Sequence, residues 1–489
     1  MAFDKNRDII HVVIAIAIGL AIWLIVPPVN GLTAEGVIVL AVFVPTLYLW
    51  IMIGPISWVS ILFLAVFVMT GIRAPGEVWA GSVGHPTFIL VTVFMLFDNC
   101  LRETGAIRSL SDWFVTRKFT QGRPYLFLFM FFASNLVLGI IMQNLALAIM
   151  YVTLASNLCK SLGIKKGDSL YTVIMLGTVW GNAVNHIASP IAKSIPNIVI
   201  GLVDTNLGIN LSYVQWLMIG IPFIAIMLVV IMLCVRIYNP DVTALENFDI
   251  DAFSKSVKPM GLRGKIAMGA LVVLFLLIII PEVLYMVRLR NALTDFMMGA
   301  TITTWVIITI VVLNLVRIKD NGELKPVLNF SAAVKDVNFG LMFFIAAVIF
   351  AGSPVGAESA GIVAAVGSLL APVAAALPTI GVIAMLCFFA IIMSNFMAST
   401  VVATIMFITG IALFTVPGFC IPPVAMAFVM VGSFAGSMGV IMPASTASTA
   451  LYYGEHIEVK KCIVINILFL FFALIGAIAL TPLAIAVFR

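Results

Sequence analysis

The chain has 489 residues, of which 63% are apolar and 10% are charged, and its net charge is +5. A soluble domain is about 25% charged and about half apolar, so this composition excludes a soluble enzyme and a disordered chain. It also excludes a nucleic-acid-binding protein, because too few charged side chains remain to neutralise phosphates. The composition therefore predicts an integral, polytopic membrane protein.

Nine apolar stretches are predicted to cross the bilayer as helices, a task that requires about 20 residues each. In chain order they are Ile9–Val26, Gly36–Ile53, Trp58–Met69 with its flanks, Thr87–Cys100, Val214–Val235, Ile266–Ile280, Met297–Val316, Phe339–Phe350 and Cys462–Phe488. Two further apolar stretches, Tyr125–Cys159 and Ile380–Phe414, are 35 residues long and carry polar residues near the middle. Each of the two fits one long helix, two short spans, or a hairpin that enters and leaves by the same face.

The distribution of basic residues favours hairpins for both stretches. With a cytoplasmic N-terminus and two re-entrant hairpins, 21 of the 26 Lys and Arg residues fall on the cytoplasmic side and four outside. This asymmetry follows the positive-inside rule, and it would be lost if either stretch crossed the membrane. Two broken helices complete the prediction, which is an all-α protein with about 11 transmembrane helices and two hairpins, and with the C-terminus outside. The remaining basic residue, Lys193, lies inside the membrane.

A weak internal repeat organises the chain. The segments Ile140–Asn144 and Ile391–Asn395 share the pattern Ile-Ile-Met-x-Asn at a displacement of 251 residues. Asn197 follows the first Asn by 53 residues, and Thr449 follows the second by 54. Both lie in apolar stretches that Gly and Pro interrupt, from Gly177 through Pro196 and from Gly432 through Pro443. Paired interrupted helices in corresponding halves indicate a transporter with a site near the bilayer midplane.

The backbone explains why such breaks bind ions. A helix that is broken inside the membrane leaves N–H groups free at the start of one half and C=O groups free at the end of the other. The helix start suits an anion such as a carboxylate, and the carbonyl groups suit a small cation. Two hairpin tips and two broken helices are therefore predicted to form an anion site flanked by cation sites.

The four motifs resemble those of the divalent-anion:sodium symporters, the INDY-type di- and tricarboxylate transporters. That family carries two Ser-Asn-Thr motifs at hairpin tips and two Thr/Ser-Pro-Pro-Asn motifs in broken helices, in this order. The corresponding segments here are Gln143-Asn144-Leu145, Ser194-Ile195-Pro196-Asn197, Ser394-Asn395-Phe396 and Thr446-Ala447-Ser448-Thr449. The resemblance implies an inverted repeat and a homodimer, in which a transport domain moves against a scaffold domain like an elevator.

The resemblance also implies the substrate and the site. It implies secondary active transport of small organic di- or tricarboxylate anions, by sodium-coupled symport or by anion exchange. The implied substrate contacts are Gln143, Asn144, Ser194, Asn197, Ser394, Asn395, Thr446 and Thr449. Sodium would bind beside the two tip residues Asn144 and Asn395. Leu145 and Phe396 replace the tip threonines, so both tips are predicted to lack a hydroxyl group facing the substrate.

Lys193 stands directly before the Ser-Ile-Pro-Asn segment, where the family usually has Gly. A Lys inside the membrane costs about 2.5–3.5 kcal/mol on insertion scales unless it is paired or faces water. We therefore expect Lys193 either to contact the anionic substrate or to occupy the place of the first sodium ion. The alternative is that this segment lies near the interface and that Lys193 extends outward to water.

Two other polar residues near these segments have two interpretations each. His186 is a candidate pH sensor for uptake, or its ring hydrogen-bonds a freed carbonyl group in a packed interior. Asp98, near the end of the fourth span, is predicted to reach the cytoplasmic interface or to pair with Arg102 four residues later. The six cysteines are scattered without a C-x-x-C pair, so neither a disulfide framework nor a metal site is predicted.

The predicted division alternates scaffold and transport elements. In the first half it places scaffold helices and an interfacial arm in 1–124, and transport elements in 125–210. Scaffold helices and a connector follow in 211–338, and a ninth span and arm in 339–379. The second-half transport elements lie in 380–456, and a final helix lies in 457–489.

The predicted location is a bacterial inner membrane, and the predicted partners are the lipid bilayer, a small anion and a second copy of the chain. No organic cofactor is expected. The alternative function is another carrier of the wider ion-transporter group, for an inorganic anion or for sodium/proton exchange. Against cation exchange, none of the four breaks contains an intramembrane carboxylate.

Overall fold

The chain is described by a computed structural model. The structure describes residues 5–54, 58–191, 193–209, 211–250, 260–320, 323–414, 422–442, 445–455, 457 and 459–488.

The described residues form helices along almost their whole length. The helices of the first half are α1 (Lys5–Ile25), α2 (Ala34–Met52), α3 (Val59–Met69), α4 (Pro75–Gly81), α5 (Pro86–Glu103), α6 (Ala106–Val115), α7 (Pro124–Gly139), α8 (Asn144–Ser161), α9 (Ser169–Asn185), α10 (Ser194–Leu207), α11 (Tyr213–Tyr238) and α12 (Thr243–Glu246). The helices of the second half are α13 (Leu262–Met286), α14 (Ala292–Gly299), α15 (Thr301–Leu315), α16 (Phe330–Lys335), α17 (Phe339–Gly356), α18 (Ile362–Ala376), α19 (Thr379–Phe396), α20 (Ser399–Phe414), α21 (Pro422–Ala435), α22 (Ala447–Glu455), α23 (Val459–Ala479) and α24 (Thr481–Val487).

Seven of the described helices are long and apolar enough to cross a membrane, and two bent helix pairs raise that number to nine. The pair α4–α5 bends by 44° and the pair α14–α15 by 80°. The second bend falls at Thr301, whose φ of 60° is left-handed and cannot continue a right-handed helix. The prediction of an integral, polytopic, helical membrane protein is confirmed. The five cysteines that the structure describes form no disulfide.

One short element is not helical. Strands β1 (Arg317–Asp320) and β2 (Glu323–Pro326) pair antiparallel, with Ile318 opposite Lys325. They lie in the segment between α15 and α17, which the charge distribution predicts to be cytoplasmic. The all-α prediction is therefore accurate except for this two-stranded ribbon.

The first-half break is shorter than the sequence suggested. Helix α9 continues through Gly177 to Asn185, and Gly177 lies against the ring of Phe132, where a side chain would not fit. Pro196 lies in the first turn of α10, where the backbone N–H that proline lacks would have no partner within the helix. Only residues 186–193 interrupt the helix, so the predicted break from Gly177 through Pro196 is wrong at both ends.

The second half repeats the order of the first. Helices α19 and α20 meet at residues 397–398, as α7 and α8 meet at residues 140–143. A long interruption then separates α21 from α22, as residues 186–193 separate α9 from α10. Pro443, which the sequence predicted to break this segment, lies outside the described residues. In the tertiary structure α8 packs on α22 and α20 packs on α10, so the two halves meet at these four helices.

The segment predicted to contain an interfacial arm includes helix α6. Gly105 has a φ of 70° and separates α5 from α6. Helix α6 buries Ile107 and Val115 and exposes Trp113 and most of Arg108.

Candidate functional site

The N-terminal residues of four helices line one cavity of about 270 Å³. These helices are α8, α10, α20 and α22, which come two from each half of the chain. The first-turn N–H groups of a helix have no partner within the helix, and the helix dipole places partial positive charge there. Four such ends around one cavity favour an anionic ligand.

Several side chains at these helix starts are fixed by local hydrogen bonds. The side chain of Gln143 caps α8, because its Oε1 accepts from the N–H groups of Leu145 at 3.1 Å and Ala146 at 3.3 Å. The hydroxyl of Thr446 accepts from the N–H of Thr449 at 3.0 Å and so holds the start of α22. Gln143 and Thr446 both line the cavity, as the sequence predicted.

Lys193 brings a basic side chain to the same cavity. Only 2% of the residue is exposed, and its Nζ donates a hydrogen bond to Asn144 Oδ1. The Asn144 Nδ2 donates in turn to the carbonyl of Asn182 at 3.1 Å. Lys193, Asn144 and Ser194 all line the cavity. The alternative in which Lys193 extends outward to the interface is therefore wrong.

Asp98 fixes the tip of the first hairpin from a neighbouring helix. Its Oδ1 accepts from the backbone N–H of Gln143 at 3.3 Å, and its Oδ2 lies 3.5 Å from Nε of Arg102. The predicted pairing with Arg102 is confirmed. Only 6% of Asp98 is exposed, so its carboxylate lies inside the protein, where its charge acts on Lys193.

Two predicted residues bond to groups of the protein instead of lining the cavity. Asn197 does so at the first break, and Asn395 does so at the second tip. Asn197 donates to the carbonyl groups of Pro190 and Lys193, and its Oδ1 accepts from the hydroxyl of Tyr213 at 2.6 Å. The Oδ1 of Asn395 accepts from the N–H groups of Val440 at 3.0 Å and Ile441 at 2.8 Å. Neither Asn197 nor Asn395 lines the cavity.

Two further predicted residues also lie beside the cavity rather than in its wall. The hydroxyl of Ser394 donates to the carbonyl of Ile391 at 2.8 Å, within its own helix. The hydroxyl of Thr449 donates to the carbonyl of Gly439 at 3.1 Å. Whether Ser394 and Thr449 bind substrate stays a prediction, but the cavity wall does not include them.

Sequence reasoning missed the hydroxyl groups of the second hairpin. Ser399 and Thr400, at the start of α20, both line the cavity. The Ser399 Oγ is buried and has no hydrogen-bond partner among the described residues. Phe396 is 63% exposed and takes no part in the wall. Two residues with hydroxyl groups therefore lie in the wall at this tip, because Met397 and Ala398 form the turn and Ser399 and Thr400 follow it. Whether a hydroxyl of this tip faces the substrate stays a prediction.

The first tip fits the expectation, since Leu145 does line the cavity. Ser445 and Ser448, around the start of α22, add hydroxyls that the motif comparison did not assign. A Ser-Thr pair directly before an apolar run was the available signal for Ser399, because these residue types favour helix starts.

His186 lies in the first break and also lines the cavity. Its Nδ1 is buried without a hydrogen-bond partner among the described residues. That ring nitrogen therefore does not bond a freed carbonyl group, and a role in pH sensing stays a prediction.

The fold and the site together define a class. A polytopic membrane protein with two hairpins and two broken helices around a cavity suited to an anion has the features of a secondary transporter. A family model described as citrate transporter, CitMHS, matches residues 47–433. The chain therefore belongs to the citrate transporter family, which agrees with its resemblance to the divalent-anion:sodium symporters. It is a secondary transporter of citrate or related anions. No curated protein matches the chain.

Proposed function

We propose that the chain carries citrate, or a closely related small di- or tricarboxylate, in the cavity at the four helix starts. The observation that carries this proposal is the convergence of four helix N-termini and the Lys193 ammonium on one cavity. The volume of about 270 Å³ lies just below that of typical ligand sites, about 300–1,000 Å³, and it suits a small anion.

The polar groups of the wall match a hydroxylated carboxylate. Lys193 supplies donors for carboxylate oxygens, and charged donors form the stronger hydrogen bonds. The helix dipoles add partial positive charge at the four helix starts. Ser194, Ser399 and Thr400 supply hydroxyls that can donate to a carboxylate or accept from a substrate hydroxyl. None of the described residues that line the cavity is Asp or Glu, which argues against the alternative of sodium/proton exchange at this site.

We propose further that transport does not require sodium. Sodium was expected beside the side-chain oxygens of Asn144 and Asn395. The first oxygen accepts from Lys193, and the second accepts from two backbone N–H groups. The Lys193 ammonium supplies at the first tip the positive charge that a bound cation would otherwise supply. Anion exchange then becomes the favoured mode.

The elevator mechanism is part of the same proposal. Each half of the chain has a hairpin followed by a broken helix, and this order supports an inverted repeat. Residues 125–210 and 380–456 would form the moving transport domain, and the remaining helices would form the scaffold of a homodimer. We place this homodimer in a bacterial inner membrane, with its N-terminus cytoplasmic and its C-terminus outside.

Uptake into proteoliposomes tests the proposal. The purified chain is assayed with labelled citrate, succinate, 2-oxoglutarate and sulfate, with and without a sodium gradient, a proton gradient and internal substrate. We expect citrate or another carboxylate to be taken up equally in sodium and in choline buffers, and faster when substrate is present inside. Uptake of sulfate alone would contradict the carboxylate assignment, and uptake that depends on sodium would contradict the role of Lys193. Uptake driven by a proton gradient without internal substrate would contradict exchange.

A further inference from the structure

A second cavity, of about 280 Å³, lies between the arm helix α6 and the hairpin helix α8, apart from the substrate site. Its polar wall contains Arg108 and Asp112 of α6. Its apolar wall contains Ile149, Met150 and Leu154 of α8. Ile149 is 52% exposed, so this wall continues onto the outer surface of the helix.

The arm helix has the features of a helix at the membrane surface. Trp113 is 49% exposed, and the Arg117 guanidinium lies 4.3 Å from the centre of its ring. Phe119, just after the helix, is 53% exposed. Exposed aromatic rings with Arg beside them are typical of the lipid headgroup level. The second cavity therefore opens where lipid headgroups and the upper parts of acyl chains lie.

The cavity offers one positive and one negative group side by side. The Asp112 side chain is 9% exposed, and its carboxylate has one charged partner among the described residues, Arg108 Nε at 3.9 Å. Burial raises the pKa of Asp112, and Arg108 opposes that effect. A buried carboxylate with so distant a partner gains stability from a hydrogen-bond donor. Arg108 is 76% exposed and can turn toward a ligand.

The other guanidinium group of this cavity is already paired. Arg102 lies 3.5 Å from the carboxylate of Asp98 and 3.4 Å from that of Asp336. The groups available to a ligand are therefore Arg108 and Asp112, which together carry no net charge. A ligand that matches them has an anionic and a cationic group close together and an apolar remainder.

We propose that this cavity binds phosphatidylethanolamine from the surrounding bilayer. Its primary ammonium donates to the Asp112 carboxylate, its phosphate pairs with Arg108, and an acyl chain follows Ile149, Met150 and Leu154. Phosphatidylcholine has no N–H to donate, and phosphatidylglycerol has no cationic group for Asp112. Because α8 begins at the tip that lines the substrate cavity, the bound lipid contacts the hairpin that takes part in transport. This proposal does not depend on which anion is carried.

Lipid retention tests the proposal directly. The full-length protein in detergent is mixed with equal amounts of phosphatidylethanolamine, phosphatidylglycerol and phosphatidylcholine, and the retained lipids are counted by native mass spectrometry. We expect phosphatidylethanolamine to be retained about fivefold more than the other two, the effect of roughly one favourable charge pair near a membrane surface. Asp112→Asn should abolish that preference, whereas Arg108→Gln should lower the retention of all three lipids, because each of them carries a phosphate. The matched control Glu246→Gln, which changes an exposed acidic residue outside the cavity, should keep it.

Three results would overturn the proposal. They are equal retention of the three lipids, preferred retention of phosphatidylglycerol, or a preference that survives Asp112→Asn. Arg108 is mostly exposed, so its replacement is not expected to impair folding, and the thermal transition in lipid-free detergent checks this. Retention is read without transport, so its failure is distinguishable from a failure of the transport proposal.

Discussion

At the scale of single residues, Lys193 decides most about the chemistry of the site. A buried ammonium group inside a membrane requires a partner, and the Asn144 side chain provides one. The Asp98 carboxylate on a neighbouring helix offsets part of the remaining charge. The cavity thus holds a positive charge that is only partly balanced, and a substrate carboxylate can complete the balance.

Replacing Lys193 by Met should weaken substrate binding strongly. Loss of a charged hydrogen bond costs about 1.5–3 kcal/mol, so we expect KM for uptake to rise about tenfold or more. The thermal transition should change little, because removing a desolvated charge offsets the unpaired oxygen left on Asn144. The control Lys160→Met removes an exposed Lys from the last turn of α8 and should leave KM unchanged. Unchanged uptake kinetics in Lys193→Met would refute a role in binding.

The two serines of the second hairpin allow a matched comparison. Ser399 lies in the cavity wall and its buried hydroxyl has no partner among the described residues, whereas the Ser394 hydroxyl is bonded within its own helix. Ser399→Ala should raise KM about two- to tenfold, the effect of one neutral hydrogen bond, without lowering the thermal transition. Ser394→Ala should leave KM nearly unchanged. The reverse order of effects, measured in the same uptake assay, would favour the site that the sequence motif predicted.

At the scale of elements, close packing of α7 on α9 supports the first hairpin. Two buried asparagines, Asn135 of α7 and Asn185 of α9, meet between the two helices, and Asn185 Nδ2 donates to the Asn135 carbonyl at 3.0 Å. Gly139 and Gly181 make room for these amides, since a Cβ on either would overlap one of them. Membrane helices commonly pack closely where small residues of one helix lie against polar side chains of the other.

Gly181→Ala should therefore destabilise the protein by about 1–3 kcal/mol, the usual cost of overpacking. A Cβ at this position meets the side-chain amide of Asn135. The control Gly269→Ala adds the same methyl group to α13, where nothing lies within 4 Å, and should be neutral or slightly stabilising. Thermal unfolding in detergent measures both variants. If the two variants unfold at the same temperature, α7 and α9 can move apart without a loss of stability, and the prediction is wrong.

At the scale of the whole molecule, Asp98 joins α5 to the tip of a hairpin that the proposed mechanism moves. The contact consists of one backbone N–H of Gln143 and one carboxylate oxygen of Asp98. If the hairpin travels relative to α5, this hydrogen bond is made in one state and broken in the other. A contact with different strength in two states changes their populations and the rate of exchange between them.

Asp98→Asn should therefore change the maximal rate of uptake about two- to tenfold, since it weakens a hydrogen bond to a charged group. KM should not rise, because removal of a negative charge near Lys193 does not weaken anion binding. Asp336→Asn is the control, since Asp336 also pairs with Arg102 but is not a hydrogen-bond partner of Gln143. Identical kinetics for the two variants would assign the effect to the Arg102 ion pair and contradict a contact that depends on the transport state.

The sequence by itself determined the properties that depend on local composition and on short spacings. Apolar composition requires a membrane, since no other environment accommodates so few charges. The first tip was predicted correctly because Gln143 and Asn144 interrupt an apolar run, and that interruption is visible without a fold. Charge spacing likewise predicted the pairing of Asp98 with Arg102, which lies one helical turn away.

Only the tertiary structure decided which polar groups line the site. Asn395 and Ser399 both follow an apolar run, but the Asn395 side chain caps a distant loop whereas Ser399 lies in the cavity wall. A motif shows that a polar side chain lies near a break. The direction of that side chain depends on which backbone groups the folded chain brings within hydrogen-bond distance. The contact between Asp98 and the hairpin tip was likewise unpredictable, because it joins residues 45 apart that only helix packing brings together.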